Sequence, residues 1–573
     1  MRTKWHWMLL LLVVGALALA AGCGGDDDEA ASEDTTAAGT SGGEGSAGGT
    51  LVFAGAADPI SLDPALASDG ESIRPASQIF ETLVNLKPGG TEVVPGLAES
   101  WEVSEDAKAI TFKLHDGVSF TDGEPFNADA VCANFNRWYN FTGAAQSAGA
   151  SYYWQVTFGG YAKNIKENEA LGKSLFASCE AIDETSVKLN FTRPSASVLG
   201  ALTLAPFSMA SPKALKEFKA DEGTVDDTGF KPTGTFGNEH PTGTGPFKLE
   251  SWTIGDKLIL VRNDDYWGEK AKLDKLIIRP IADNAARLQA LQTGEVQGYD
   301  LVEPQDIPTI EKDADLQILE RPAFNIFYVT INQKVKPFDK LEVRQAVAYG
   351  LDRAAVVNNF YGGLGEVAKE FQPPTLSGYA EDVTEYPYDP AKAKELLQKA
   401  GVTLPLKVEF WYPTDVSRPY MPDPKRNFEA FAASLNKSGF KVIPKSAPWR
   451  PDYLGRVLVG KGGALNFLGQ TGDYADADNF IGTFFQTPQK AWGFENQAIF
   501  DKLDEAEAET DLDAREELYQ DANRQIMNFL PGVPYVHTKP ALAFQADVQG
   551  YEPSPVSLES FATVTLGGEG SEK

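Results

Sequence analysis

The sequence predicts an α/β fold with more than one lobe. Its 573 residues are more than a single hydrophobic core usually serves, so two or more lobes are expected. Segments with strand-like alternation of apolar and polar residues are interspersed with segments of helical periodicity along the whole chain. Aromatic residues make up 11% of the chain, which is ample for sizeable cores.

Each predicted element follows from its own pattern. Strands are predicted where apolar and polar residues alternate or where short apolar runs occur, at Thr50–Gly55, Ala109–Leu114, Ser186–Phe191, Lys257–Arg262 and Lys275–Pro280. Helices are predicted at Ala285–Gln292, Leu341–Gly350, Pro390–Gly401, Phe428–Ser438 and Phe500–Phe529. The helix at Pro390 carries the strongest end signals, because Asp389 precedes it as an N-cap and Gly401 closes it.

Several segments are rich in loop-forming residues. Structured patterns resume directly after each of them, so they are interpreted as surface insertions or cleft rims and not as domain linkers. These segments are 143–160, 221–245, 372–389 and 413–425.

The N-terminus has the build of an export signal. Arg2 and Lys4 precede an apolar run from Met8 to Ala21. The run is shorter than the about 20 residues that a spanning helix needs. We therefore expect residues 1–22 to be removed as a signal peptide.

The residues before Cys23 resemble the lipobox of bacterial lipoproteins, in which the cysteine is diacylated and becomes the new N-terminus. Ala21-Gly22-Cys23 fits that motif, whereas Ala20 stands where leucine is usual. The alternative is an ordinary signal with a chance cysteine. From Cys23 to residue 50 only small and acidic residues follow, so this stretch is predicted to be a disordered tether with a reach of about 30 Å.

The net charge and the number of cysteines limit the functions that are possible. The formal net charge is −30, and a surface this acidic repels phosphate backbones, so nucleic-acid binding is not expected. Apart from Cys23 only Cys132 and Cys179 remain. In an oxidising compartment they are predicted to form a disulfide, the alternative being two buried free thiols.

No catalytic set is apparent, so the chain is not expected to be an enzyme. The histidines stand alone, without partners at metal-ligand spacing, and neither a metal nor a cofactor is expected. A G-x-S-x-G match at 39–43 lies in the predicted tether, where the strand-to-helix elbow that this motif requires is not predicted.

Several stretches, in order along the chain, are similar to the family 5 extracellular solute-binding proteins of ATP-driven importers. This family includes dipeptide- and oligopeptide-binding proteins. The stretches are 95–103 (PGLAESWEV) continuing into 112–131, 243–249 (GTGPFKL) continuing to 263–268 (NDDYWG), 286–296 (ARLQALQTGEV), 337–353 (PFDKLEVRQAVAYGLDR) and 472–480 (GDYADADNF).

The resemblance implies a two-lobed, periplasmic-binding-protein-like fold with an additional inserted subdomain, of the type II, cluster C kind. Two crossing segments join the lobes, which close over a solute by a hinge motion. Lobe I is expected at 51–86, 205–320 and 535–565, the inserted subdomain at 87–204, lobe II at 321–534, and a flexible C-terminus at 566–573.

The resemblance also implies the candidate site. Asp473 matches the aspartate that holds the ammonium group of the peptide in peptide-binding members, where a buried ammonium needs a compensating charge. Gln470 stands where those members commonly carry tryptophan. Ser68, Asp69 and Gly70 match the stretch whose backbone lies along the bound peptide.

The function implied is therefore a receptor that captures short peptides and delivers them to the permease of an ABC importer. It would be a monomer that contacts the membrane through its lipid only. Gln470 leaves open a non-peptide solute on the same fold, such as an oligosaccharide, an opine-like compound or a metal chelate. A surface hydrolase or a sensory co-receptor is the alternative from a different class.

Overall fold

The structure is a computed structural model that describes residues 48–67, 69–147, 150–226, 229–556 and 559–567. The predicted signal peptide, Cys23, the tether as far as residue 47, Ser68 and residues 568–573 lie outside these residues. Within the described part of the chain, no helix is both long enough and apolar enough to cross a bilayer.

The strands are, in chain order, β1 (Thr50–Gly55), β2 (Val84–Leu86), β3 (Val93–Pro95), β4 (Ala98–Val103), β5 (Ala109–Leu114), β6 (Phe176–Asp183), β7 (Ser186–Phe191), β8 (Gly223–Asp226), β9 (Gly229–Pro232), β10 (Phe247–Thr253), β11 (Lys257–Arg262), β12 (Lys275–Pro280), β13 (Gly298–Asp300), β14 (Leu316–Glu320), β15 (Asn325–Ile331), β16 (Gly365–Val367), β17 (Leu406–Pro413), β18 (Phe440–Ala447), β19 (Leu465–Thr471), β20 (Gly532–Thr538), β21 (Ala541–Gln545), β22 (Val548–Gln549) and β23 (Thr565–Leu566).

The helices are α1 (Gly70–Ile79), α2 (Ala128–Tyr139), α3 (Tyr152–Phe158), α4 (Val198–Ala201), α5 (Pro212–Glu217), α6 (Phe236–Glu239), α7 (Asn284–Gln292), α8 (Ile307–Ile310), α9 (Leu341–Gly350), α10 (Arg353–Phe360), α11 (Pro390–Lys399), α12 (Pro424–Lys437), α13 (Leu454–Leu458), α14 (Ile481–Phe485), α15 (Gln497–Ala508) and α16 (Leu512–Phe529).

A seven-stranded mixed sheet has the order β10-β11-β12-β1-β13-β21-β14. Its strand β1 pairs in parallel with β12 and with β13. Because side chains alternate along a strand, Leu51 and Phe53 of β1 enter one apolar core and Val52 and Ala54 enter another. The sheet is thus buried on both faces.

A six-stranded mixed sheet has the order β16-β20-β15-β19-β17-β18. All residues of its strand β15 are buried, as expected of a strand covered on both sides. On one face Phe327 packs against Phe467 and Tyr535, and on the other Tyr328 stacks on Trp492. The largest apolar core of the described chain surrounds this sheet.

A four-stranded antiparallel sheet has the order β4-β5-β7-β6 and carries α2 and α3. Phe135 of α2 stacks on Phe176, with the ring centroids 5.7 Å apart. Trp154 of α3 is buried in the same core. This sheet lies between β1 and β10 in the sequence and forms a body of its own.

In the described residues the chain crosses between the seven-stranded and six-stranded sheets at two places. The first crossing runs from β14 to β15 and the second from β20 to β21. The first crossing lies between Glu320 and Asn325. The second corrects the predicted boundary at 535, because β20 stays paired with β15 and β16 in the six-stranded sheet as far as Thr538.

Two other sequence interpretations were wrong. The predicted helix Phe500–Phe529 is two helices, because the Glu509 carboxylate accepts hydrogen bonds from the amides of Thr510 and Asp511, and Asp511 then caps α16. The segment 143–160, interpreted as loop, contains α3. Its run of aromatic residues has modest helix propensity, but burial of Trp154 and Phe158 outweighs that preference.

The predicted disulfide partners lie side by side. Cys132 is on α2 and Cys179 on β6, with their sulfur atoms 1.96 Å apart, and the two residues are 47 positions apart in the sequence. A bond there ties the main helix of this body to the edge strand of its sheet.

We expect that replacing Cys132 and Cys179 together by alanine lowers the free energy of unfolding by about 3–4 kcal/mol, because the unfolded chain regains the entropy of a long loop. Thermal unfolding measured with and without reductant checks this.

The pairing itself is checked by thiol titration of unfolded, unreduced Cys23→Ala protein, in which every remaining thiol comes from this pair. No reactive thiol is expected. Two thiols per molecule would show that the pair is reduced.

Candidate functional site

The candidate site lies where the edges of the two large sheets face each other. The parallel strands β1, β12 and β13 end at this edge of the seven-stranded sheet, and the parallel strands β17 and β19 end at the corresponding edge of the six-stranded sheet. Carboxyl ends of parallel strands are the usual location of ligand sites in α/β proteins. Both chain crossings also lie here.

Asp473 follows directly after β19. Its backbone amide donates to Asn479 Oδ1 at 2.7 Å. Its half-buried carboxylate is hydrogen-bonded to the side chains of Asn479 and Tyr153. Burial raises the pKa of Asp473 to about 6, and these two hydrogen bonds limit the rise.

The partners of the Asp473 carboxylate are neutral. Among the described residues, no lysine, arginine or histidine nitrogen lies within 4.0 Å of it. A partly buried anion is therefore held at the edge of the six-stranded sheet without a cation from the chain itself.

Gln470 lies on β19, and its amide is already engaged. Its Nε2 donates to the backbone oxygen of Asn479 at 2.5 Å. Asn479 thus ties together two points of the loop that follows β19, because it contacts both Gln470 and Asp473. Gln470 positions the loop that carries the candidate carboxylate.

Asp69 and Gly70 lie at the start of α1. The Asp69 carboxylate caps this helix, accepting from the amide of Ser72 at 2.9 Å and from its hydroxyl at 2.7 Å. Gly70 is exposed, with no atom within 4 Å of the position that a Cβ would take. Ser68 is outside the described residues.

Tyr153 brings the predicted site residues together. It packs against Ala67, Ile73 and Ala205 around the start of α1, and its hydroxyl reaches Asp473. Burial, together with the proximity of Asp473 and Tyr152, raises the pKa of Tyr153 well above its ordinary value. Residues of the four-stranded, six-stranded and seven-stranded bodies thus meet around the Tyr153 side chain.

Sequence reasoning did not find Tyr153 or Asn479. Tyr153 belongs to the segment that was interpreted as a loop, and the cluster of aromatic residues at 152–154 was the available signal. Asn479 lies six positions after Asp473, inside the same family-like stretch, where an amide able to brace the loop could have been noticed.

Arg418 is a third residue that the sequence interpretation missed. It is exposed, and its guanidinium lies over the ring of Trp449, 5.2 Å from the centroid. The next residue, Pro419, accepts a hydrogen bond from the Thr538 hydroxyl at the second crossing. Tyr420 then packs on Gly469 of β19. Arg418 and Asp473 therefore belong to loops at the same edge of the six-stranded sheet.

A second contact joins the four-stranded body to the six-stranded one. Glu507 Oε1 accepts from the hydroxyls of Ser195 and Ser197 at 2.5 and 2.7 Å. Burial and the nearby Asp478 raise the pKa of Glu507, while Arg515 opposes that rise. This contact fixes the four-stranded body beside the loop that carries Asp473.

A buried ionic cluster supports the crossings. The Arg321 guanidinium, 2% exposed, contacts Asp300 at 2.5 Å and Glu559 at 2.5 Å. Asp300 also contacts Arg74 of α1 at 2.6 Å. The two arginines hold the pKa of Asp300 well below its usual range despite burial.

No group of three or more histidine, cysteine, aspartate or glutamate side chains suited to hold a metal ion occurs among the residues that the structure describes. Cys23 lies outside those residues.

Comparison with known proteins gives a consistent result. Residues 92–492 match the model of the family described as "Bacterial extracellular solute-binding proteins, family 5 Middle". The chain is 32% identical over 530 residues to the dipeptide-binding protein of Escherichia coli (strain K12), covering 90% of this chain and 94% of that protein. It is 31% identical over 538 residues to heme-binding protein A of Haemophilus influenzae, covering 91% and 93%.

A solved structure of the ABC transporter-associated periplasmic binding protein DppA from Helicobacter pylori, in complex with the peptide STSA, superposes with a TM-score of 0.71. The two chains are 29% identical, and the match covers 91% of this chain and 98% of that one. The family model spans well over half of the chain, and the relatives match it nearly end to end. The chain therefore belongs to the bacterial extracellular solute-binding proteins of family 5.

Proposed function

We propose that this protein binds short peptides between its two large sheets and delivers them to the permease of an ABC importer. The observation that carries the proposal is the Asp473 carboxylate, which is partly buried, has an elevated pKa and is held by neutral donors. A buried anion of this kind favours a ligand that supplies the missing cation. The N-terminal ammonium group of a peptide has that charge.

Arg418 suits the other end of such a ligand. No ion pair includes its guanidinium among the described residues, and it is exposed at the same edge as Asp473. Guanidinium groups bind carboxylates with two parallel hydrogen bonds. An anion and a cation at one edge match the two ends of a zwitterionic peptide, and the peptide-binding relatives agree with this choice.

The alternative is a non-peptide solute such as an oligosaccharide, an opine-like compound or a metal chelate. It is motivated by Gln470 and by the similarity to heme-binding protein A. Because Gln470 is engaged with Asn479, it does not by itself favour a polar ligand, and peptide remains the better-supported solute. Mass spectrometry of ligand that co-purifies with the protein separates the two.

The membrane attachment, the assignment of the lobes and the partner are also part of the proposal. The lipobox-like residues before Cys23 support attachment to the outer face of the cytoplasmic membrane by a lipid, with a monomeric body on the tether. Lobe I, the inserted subdomain and lobe II correspond in this proposal to the bodies of the seven-stranded, four-stranded and six-stranded sheets, and residues 566–573 to a flexible C-terminus. The permease subunits are the proposed partner.

Asp473→Asn should weaken binding of Ala-Ala by at least about a hundredfold, because the peptide ammonium would be buried without a counter-charge. Isothermal titration calorimetry on wild type, Asp473→Asn and the exposed control Asp513→Asn measures this. N-acetylated Ala-Ala should bind wild type no better than Ala-Ala binds the Asp473 variant. Equal affinity for the acetylated and free peptides in wild type would remove Asp473 from this role.

Peptide affinity should fall as the pH drops below about 6. The raised pKa means that Asp473 is ionised above about pH 6 and gains a proton below it, and only the ionised form pairs with an ammonium group. Binding should therefore be about tenfold weaker at pH 5 than at pH 7.5. At pH 6, calorimetry in buffers of different ionisation enthalpy should show release of about half a proton per peptide. Unchanged affinity without proton release would contradict this.

Cells that express the full chain should incorporate labelled palmitate into the protein, because a lipidated Cys23 becomes the mature N-terminus. Cys23→Ala should carry no label and should appear in the soluble extracytoplasmic fraction. Label retained on the Cys23→Ala protein would refute the assignment.

A further inference from the structure

A cavity of about 170 Å³ lies between the two large sheets beside the second crossing. Five parts of the chain form its walls: helix α7, the loop that follows β13, the segment between α10 and β16, the loop 417–422 of the six-stranded body, and the crossing itself. Its lining residues include Asn284, Arg287, Leu301, Glu303, Arg418 and Lys539. The cavity is smaller than the about 300–1,000 Å³ typical of complete ligand sites, so its size suits one part of a solute.

The charge of this lining is opposite to that of the protein. The whole chain carries a formal charge of −30, yet Arg287, Arg418 and Lys539 line the cavity with Glu303 as the acidic residue among them. No ion pair includes any of these three cations within the described part of the chain.

The Glu303 carboxylate already accepts hydrogen bonds from neighbouring side chains. Its two carboxylate oxygens accept from Asn284 Nδ2 at 2.5 Å and from Gln305 Nε2 at 2.8 Å. It therefore orients Asn284, and it is not paired with the cations of the cavity.

Two buried polar groups on the wall lack partners. Arg287 is 3% exposed and donates through one terminal nitrogen to the backbone oxygens of Ile281 and Ala282, but its Nε has no acceptor. The Oδ1 of Asn284 is also buried without a donor. Buried polar groups are normally satisfied, so the unused Nε–H of Arg287 favours a guest with an acceptor oxygen, whereas the Asn284 oxygen needs a donor.

The wall is also held in a conformation that a side chain seldom adopts. Leu301 has a φ of 63° and is partly exposed in the cavity lining. Its amide donates to Asp300 Oδ1 at 2.7 Å, and Asp300 is fixed by Arg74 and Arg321. Backbone strain that a rigid ionic cluster maintains is common at ligand sites.

We propose that this cavity is an anion subsite, in which Arg287 and Lys539 receive a carboxylate of the solute beyond the one that Arg418 holds. This rests on the proposed peptide function and narrows the solute to peptides with a carboxylate that reaches this cavity. The carboxylate would come either from an aspartate or glutamate side chain or from the C-terminus of a peptide longer than two residues.

Matched peptides test the proposal by calorimetry. Ala-Glu and Ala-Gln have nearly the same shape and differ in one charge, and wild type should bind Ala-Glu at least fivefold more tightly. Lys539→Gln should reduce that ratio to below twofold while leaving the affinity for Ala-Gln unchanged. Lys441→Gln, which removes an exposed lysine of β18 outside the cavity, should leave the ratio as in wild type.

Tri-alanine and its C-terminal amide separate the two sources of the carboxylate. If the Lys539 substitution weakens tri-alanine but not the amide, the terminal carboxylate occupies the cavity. If the Lys539 substitution weakens only the binding of Ala-Glu, the glutamate side chain occupies the cavity. Arg287→Lys keeps the positive charge but has a shorter side chain. This substitution should also lower the preference for Ala-Glu over Ala-Gln, and it tests the subsite independently of Lys539.

Failure of this proposal is distinct from failure of the peptide function. Tight binding of Ala-Ala and Ala-Gln with no preference for Ala-Glu and no effect of Lys539→Gln on tri-alanine would overturn the anion subsite alone. Absence of binding for all of these peptides would overturn both proposals.

Discussion

The architecture depends on the buried guanidinium of Arg321, which lies where the chain leaves the seven-stranded sheet for the six-stranded one. Its backbone amide donates to Pro540 in the returning crossing, and its side chain contacts Asp300 and Glu559. Removing one partner from a buried ion cluster commonly costs about 3–5 kcal/mol. Both crossings, the end of β13 and helix α1 are therefore fixed by the same few charges, while the sheets pack in separate apolar cores.

The candidate site has opposite charges on its two sides. The half-buried Asp473 carboxylate is held by neutral donors, and the loops near the second crossing present cations in a protein that is otherwise strongly acidic. A solute that carries both charges would be oriented by this arrangement before any side-chain fit is considered. In the proposed function the direction of binding would then follow from electrostatics.

The strand pattern of the sequence was sufficient to place β1, β5, β7, β11 and β12, because alternation of apolar residues directly reflects which side chains are buried. The break at Glu509 was missed, since a few side-chain hydrogen bonds to the backbone decide it. Asp473 was proposed as a site residue through the family resemblance. Tyr153 and Arg418 were not, because their positions follow from packing between segments that are hundreds of residues apart, and no local pattern contains that information.

The hydroxyl of Tyr153 has a consequence for the resting protein. When nothing is bound, this neutral donor already satisfies the carboxylate that a guest would use, so an emptied receptor is not left with a bare charge in a poorly hydrated crevice. In the proposed function the vacant site is therefore not unfavourable, and the affinity for a guest reflects the difference between a neutral donor and a charged one.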